Sequence, residues 1–137
     1  MKLCSGCLLG IRCRYDGESR PHKRVSALAE KEVLIPVCPE QLGGLPTPRE
    51  VCEKKGKKAL TESGADVTEN LKRGAEEVLK LAKIFRVKEV ILKQRSPSCG
   101  YGMIYDGSFS GRVVKGAGFT ASLLAKNGIK VITEEEL

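Results

Sequence analysis

The chain has 137 residues, 41% of them apolar, 30% charged and 4% aromatic, with six cysteines, one histidine and no tryptophan. That balance suits one globular domain (1–137) with an aliphatic core, and no apolar run approaches the roughly 18 residues of a membrane span. The net charge of +7 admits a nucleic-acid or anionic partner, but Lys54, Lys55, Lys57 and Lys58 are the only basic cluster and no aromatics interleave with them, which weighs against dedicated nucleic-acid binding.

A first strand is expected near Lys2–Cys4, with Cys7 just past its end. A short helix near His22–Lys31 carries Val25, Leu28 and Ala29. The run Val33-Leu34-Ile35-Pro36-Val37 reads as a second strand, closed by Cys38-Pro39. Continuous rather than alternating hydrophobicity suits strands buried on both faces. Residues 39–65 are rich in Gly and Pro and read as a long loop. The clearest helix runs from Thr68 to Arg86, with Leu71, Ala75, Val78, Leu79, Ala82 and Phe85 as its apolar stripe. Asp66 and Glu69 form a capping pattern, and Glu69→Arg73 and Glu76→Lys80 are candidate i, i+4 pairs. A third strand follows at Glu89–Lys93, and a second Gly/Pro-rich segment occupies 97–118. A helix over Phe119–Lys126 ends at Gly128, and a fourth strand covers Ile129–Ile132. Strand–helix alternation gives an α/β fold: a small, open, mainly parallel sheet of about four or five strands flanked by helices, Rossmann-like.

Six cysteines are too many for an ordinary core. No apolar leader follows Met1, so the expectation is a cytoplasmic chain whose thiols stay reduced and serve metal or redox chemistry. The abundance of Lys and Glu is also a thermophile habit, and hyperthermophiles are the exception that keeps intracellular disulfides. His22 lies in a polar turn, leaving a Cys/His zinc site little to draw on.

In an open parallel sheet, ligands bind beyond the carboxyl ends of the strands. Cys7, Cys38 and Cys99 each follow a predicted strand, in Cys7-Leu8-Leu9-Gly10, Cys38-Pro39-Glu40 and Ser96-Pro97-Ser98-Cys99-Gly100. Only a fold brings them together, at one edge of the sheet. Three thiolates with one open position suit a 4Fe–4S cluster whose free iron is a Lewis acid; zinc with three cysteines and a water is the rival, and sulfur ligation alone does not choose. The pair Cys4-Ser5-Gly6-Cys7 has redox C-x-x-C spacing, but Cys4 falls within the strand. Cys4 and Cys52 read as small buried apolar residues, and Cys13 as a neighbour of the site that is not a ligand.

These residues resemble the thiouracil desulfidase (TudS-like) family. The matching stretches include Cys7-Leu8-Leu9-Gly10, Arg14-Tyr15-Asp16-Gly17, Cys38-Pro39-Glu40, Gly43-Gly44-Leu45-Pro46 and Pro48-Arg49. They continue through Asp66-Val67-Thr68, Gly74-Ala75, Leu92-Lys93, Ser96-Pro97-Ser98-Cys99-Gly100 and Ile104-Tyr105-Asp106-Gly107. The resemblance implies a 4Fe–4S cluster on Cys7, Cys38 and Cys99, a catalytic carboxylate at Glu40 and a catalytic hydroxyl at Ser96. The implied reaction is non-redox removal of sulfur from thiouracil, a small thiolated pyrimidine, giving uracil and sulfide.

Bland alternatives stand beside each assignment. Glu40 also reads as a carboxylate at a turn or helix N-terminus, and Ser96 as the hydroxyl of a turn before Pro97. Lys93, Arg14, Asp16 and Arg49 border the site or form solvated pairs. Gly100-Tyr101-Gly102 is a phosphate nest or a point of close backbone approach. Two other functions are carried forward: a binding module with a structural metal or cluster, and a protein acting on thiolated bases in RNA.

Overall fold

Strand β1 (Lys2–Ser5) lies inside a parallel sheet in the computed structural model, which describes residues 1–137. Its neighbours are β2 (Leu34–Val37) and β5 (Glu89–Leu92), and β8 (Lys130–Thr133) completes the order β2-β1-β5-β8. Both faces are covered, which is why these strands read as unbroken apolar runs. Leu3, Val90 and Leu92 point into a core shared with α3 (Thr68–Ile84) and α4 (Phe119–Lys126), built from Val78, Ala82, Ala121 and Leu124. Their strand neighbours Cys4 and Ile91 point the other way, onto Val25 of α1 (Lys23–Ala29) and Leu8. No helix is long and apolar enough to cross a membrane.

The expected parallel α/β sheet is present, with its strands within one residue of their predicted ends. The two presumed loops are only partly loops. The first contains α2 (Pro39–Leu42) and an antiparallel hairpin of β3 (Cys52–Lys55) and β4 (Lys58–Thr61); the second contains the hairpin of β6 (Tyr101–Tyr105) and β7 (Val113–Ala117). Their Gly-rich sequence reflects tight turns and close contacts rather than absence of structure.

Helix α3 departs from expectation at both ends. Phe85 is its C-cap and 41% exposed, because Arg86 turns the chain away with φ 54°. Asp66 holds the first turn by accepting from the Thr68 N–H at 2.9 Å, without a reciprocal bond from Glu69. The wet face carries the i, i+3 pairs Glu69–Lys72 and Glu77–Lys80 in place of the i, i+4 pairs.

The short helix α2 is seated against α3 by glycine. A Cβ on Gly43 would stand 2.0 Å from the Asn70 carbonyl oxygen, while the Asn70 amide donates to the Gly43 carbonyl at 2.9 Å. This contact fixes the segment Cys38-Pro39-Glu40 at the carboxyl end of β2.

Candidate functional site

Beyond the carboxyl ends of β1, β2 and β5 lies a cavity of about 340 Å³. Cys7, Cys38, Cys99, Glu40 and Ser96 all line it, so the fold brings every predicted site residue to one place. Cys13, Arg49, Ser98, Tyr15 and Tyr105 share the wall.

Each cysteine arrives on a different device. Cys7 sits in a single 3-10 turn (Gly6–Leu9) directly after β1, which Gly10 closes in the left-handed conformation. Cys38 is the N-cap of α2, where Pro39 occupies the first helical position without needing a donor. Cys99 lies in the turn after β5, and its N–H and that of Ser98 both donate to the Ser96 hydroxyl at 3.1 Å.

That turn is braced from behind by the start of α4. The Phe119 N–H donates to the Pro97 carbonyl at 2.9 Å, and the Thr120 N–H to the Ser98 carbonyl at 2.9 Å. Gly118 is obligatory here, because a Cβ would stand 2.4 Å from the Ser98 carbonyl carbon. Gly100 is likewise packed, with a would-be Cβ 2.7 Å from the Ser96 carbonyl oxygen. It serves close approach of backbone, not an anion nest.

Glu40 is held at both oxygens. Arg49 Nε donates to Oε1 at 2.9 Å, and Ser98 Oγ donates to Oε2 at 3.2 Å. Arg49 therefore belongs to a buried pair rather than a solvated one, with side chains 7% and 15% exposed. The remaining wall cations are also paired: Arg14 with Asp16, Lys93 with Glu134 and Arg95 with Glu135. Lys93 and Gln94 together cap Glu134 at 2.8 and 2.7 Å, which ties the end of β5 to the end of β8.

The sulfurs differ in surroundings. Burial pushes the Cys7 thiol up to about 11 and raises that of Cys99 well above its ordinary value. Cys38 moves the other way: a hydrogen bond from the Cys13 thiol, the Gln41 N–H and the Arg49 charge favour its thiolate against burial. Cys13 is raised correspondingly, since it must keep its proton to donate. Cys4 lies outside the cavity lining and Cys52 in its wall beside Val51; both are buried and pushed up to about 12 by desolvation.

Ser98 and the Glu40–Arg49 pair were not legible as a unit in the sequence. The one signal was the adjacency of Ser98 to Cys99 within a turn already singled out. His22 is no ligand; its ring accepts from the Val25 N–H and caps α1.

The chain is similar to known proteins over nearly its whole length. A family model described as 2-thiouracil desulfurase matches residues 3–136. An uncharacterized Bacillus subtilis (strain 168) protein, YbbK, is 44% identical over 147 aligned positions, covering 100% of this chain and 97% of its own. The solved structure of a [4Fe-4S]-dependent thiouracil desulfidase, TudS, superposes with a TM-score of 0.92 at 43% identity, covering 99% of this chain and 91% of that one.

Proposed function

The chain belongs to the 2-thiouracil desulfurase family, and on that premise we propose that it is a 4Fe–4S-dependent desulfidase that converts thiouracil and water to uracil and sulfide. The observation that carries this is the convergence of Cys7, Cys38, Cys99, Glu40 and Ser96 on one cavity.

The donor set fits the cofactor. Three cysteine sulfurs on one wall are the ligands that iron–sulfur clusters take. The donors on that wall are all sulfur, and the similar solved structure is described as [4Fe-4S]-dependent, which supports a cluster over zinc. Bound to these sulfurs, the cluster supplies an open iron that is a Lewis acid towards the soft sulfur of a thiocarbonyl.

The chain's own groups account for the proton traffic. Glu40, oriented by Arg49 and Ser98, takes a proton from the water that attacks the thiolated ring carbon. The Ser96 oxygen is engaged by two backbone N–H groups, which leaves its own proton free to donate to substrate. Oxygen from water replaces sulfur on the carbon, the C–S bond breaks, and sulfur departs as sulfide without net oxidation or reduction. The cavity of about 340 Å³ would take the cluster as well as the substrate, which suits a substrate no larger than a single heterocycle.

The test is turnover of 2-thiouracil by anaerobically reconstituted protein. Uracil and sulfide are expected in equal amounts. Protein with a full complement of iron that releases neither would refute the assignment.

A further inference from the structure

We propose that Arg49 is a positioning residue that ties the carboxylate of Glu40 to the sulfur of Cys38, so that one guanidinium orients the base and sets the charge felt by the ligand. This rests on the function assigned above.

Every donor of Arg49 is committed. Nε reaches Glu40 Oε1 at 2.9 Å, Nη1 reaches the Thr47 hydroxyl at 2.9 Å and the Pro46 carbonyl at 3.2 Å, and Nη2 reaches the Cys13 carbonyl at 2.8 Å. The same Nη2 lies 3.9 Å from Cys38 Sγ. Its backbone N–H donates to the Tyr15 carbonyl at 2.8 Å, which anchors the segment as well as the side chain. A guanidinium so occupied has nothing left to offer a substrate. It acts through the two groups that it joins.

Arg49 is the only wall cation with this connection. Arg14, Lys93 and Arg95 pair with Asp16, Glu134 and Glu135, none of which is a site carboxylate. The rigid fork of Arg is required, since an ammonium supplies charge at one point but cannot span a carboxylate, a carbonyl and a sulfur. Hydrogen bonds and positive charge at a ligand sulfur raise a cluster's reduction potential, so the contact to Cys38 has a readout separate from turnover.

The experiment compares wild type, Arg49→Gln and Arg49→Lys as anaerobically reconstituted holoproteins. Iron content, cluster midpoint potential, urea midpoint, kcat and KM for 2-thiouracil are measured on each. Arg49→Gln is expected to shift the potential to more negative values and to lower kcat by about 10- to 100-fold with KM little changed. Arg49→Lys is expected to restore most of the potential but not kcat, because charge returns without the fork. It also carries the test if Arg49→Gln loses its cluster. Wild-type potential and kcat in both variants would overturn the inference, as would equal losses of kcat and fold stability with no shift in potential. A wild-type protein that holds the cluster but does not act on thiouracil would overturn the proposed reaction alone, leaving the potential to decide this point. One that binds no cluster would overturn both.

Discussion

Gly74 of α3 lies so close to Pro39 that a Cβ on it would stand 1.9 Å from the Pro39 carbonyl oxygen. Glycine inside a helix costs about 1 kcal/mol relative to alanine, so its presence marks a contact worth more than that. The contact seats the segment that carries both Cys38 and Glu40. Gly74→Ala is expected to lose about 1–3 kcal/mol despite the gain in helix propensity, because the obstacle is backbone and cannot rotate away. Urea unfolding of the apoprotein checks the stability, and iron content after reconstitution checks the displacement of Cys38. A variant as stable as wild type would contradict the packing described.

Glu40 and Ser96 are expected to fail differently. Glu40→Gln keeps the shape of the side chain and an acceptor for Arg49, so iron content should hold while kcat falls by about 10²- to 10⁴-fold. Ser96→Ala removes the acceptor for the Ser98 and Cys99 N–H groups. It should therefore lose turnover and also about 1–3 kcal/mol of stability. Parallel measurement of iron, turnover and urea midpoint separates the two patterns. Matching losses in both variants would mean that Glu40 is structural.

The buried thiols make the apoprotein sensitive to alkali. Cys4 and Cys52 titrate near their ordinary values when unfolded and at about 12 when folded, owing to desolvation. A raised folded value means that stability is fully present below the unfolded value and is lost as pH rises towards the folded one. Each thiol then subtracts up to about 1.4 kcal/mol per pH unit above roughly pH 9. Urea midpoints of reduced apoprotein from pH 7 to pH 10.5 should fall steeply above pH 9, and Cys52→Ala should flatten the slope. An unchanged slope in that variant would contradict the burial of Cys52.

Much of this fold was legible because its strands are covered on both faces, so Val33–Val37 and Glu89–Lys93 stand out as apolar runs between amphipathic helices. The two hairpins were not. The strands β3 and β4 show no clear alternation, since Lys54 shares the packed face of Cys52 and Ala59, while Glu53 on the opposite face is buried beneath the turn of Gly107 and Phe109. Loop cysteines after three strand ends were enough to predict that Cys7, Cys38 and Cys99 meet at one cavity. The Arg49–Glu40–Ser98 chain was hidden, because hydrogen bonding across 58 positions of sequence leaves no local pattern.

The claim that most needs testing is the ligand set. Iron and acid-labile sulfide should be measured after anaerobic reconstitution of wild type and of Cys7→Ala, Cys38→Ala and Cys99→Ala, with Cys4→Ala, Cys13→Ala and Cys52→Ala as controls. About four irons per chain are expected in wild type and in the three controls, and loss of the cluster in each of the three ligand variants. A cluster retained without Cys7, Cys38 or Cys99, or lost from a folded Cys52→Ala protein, would contradict the assignment.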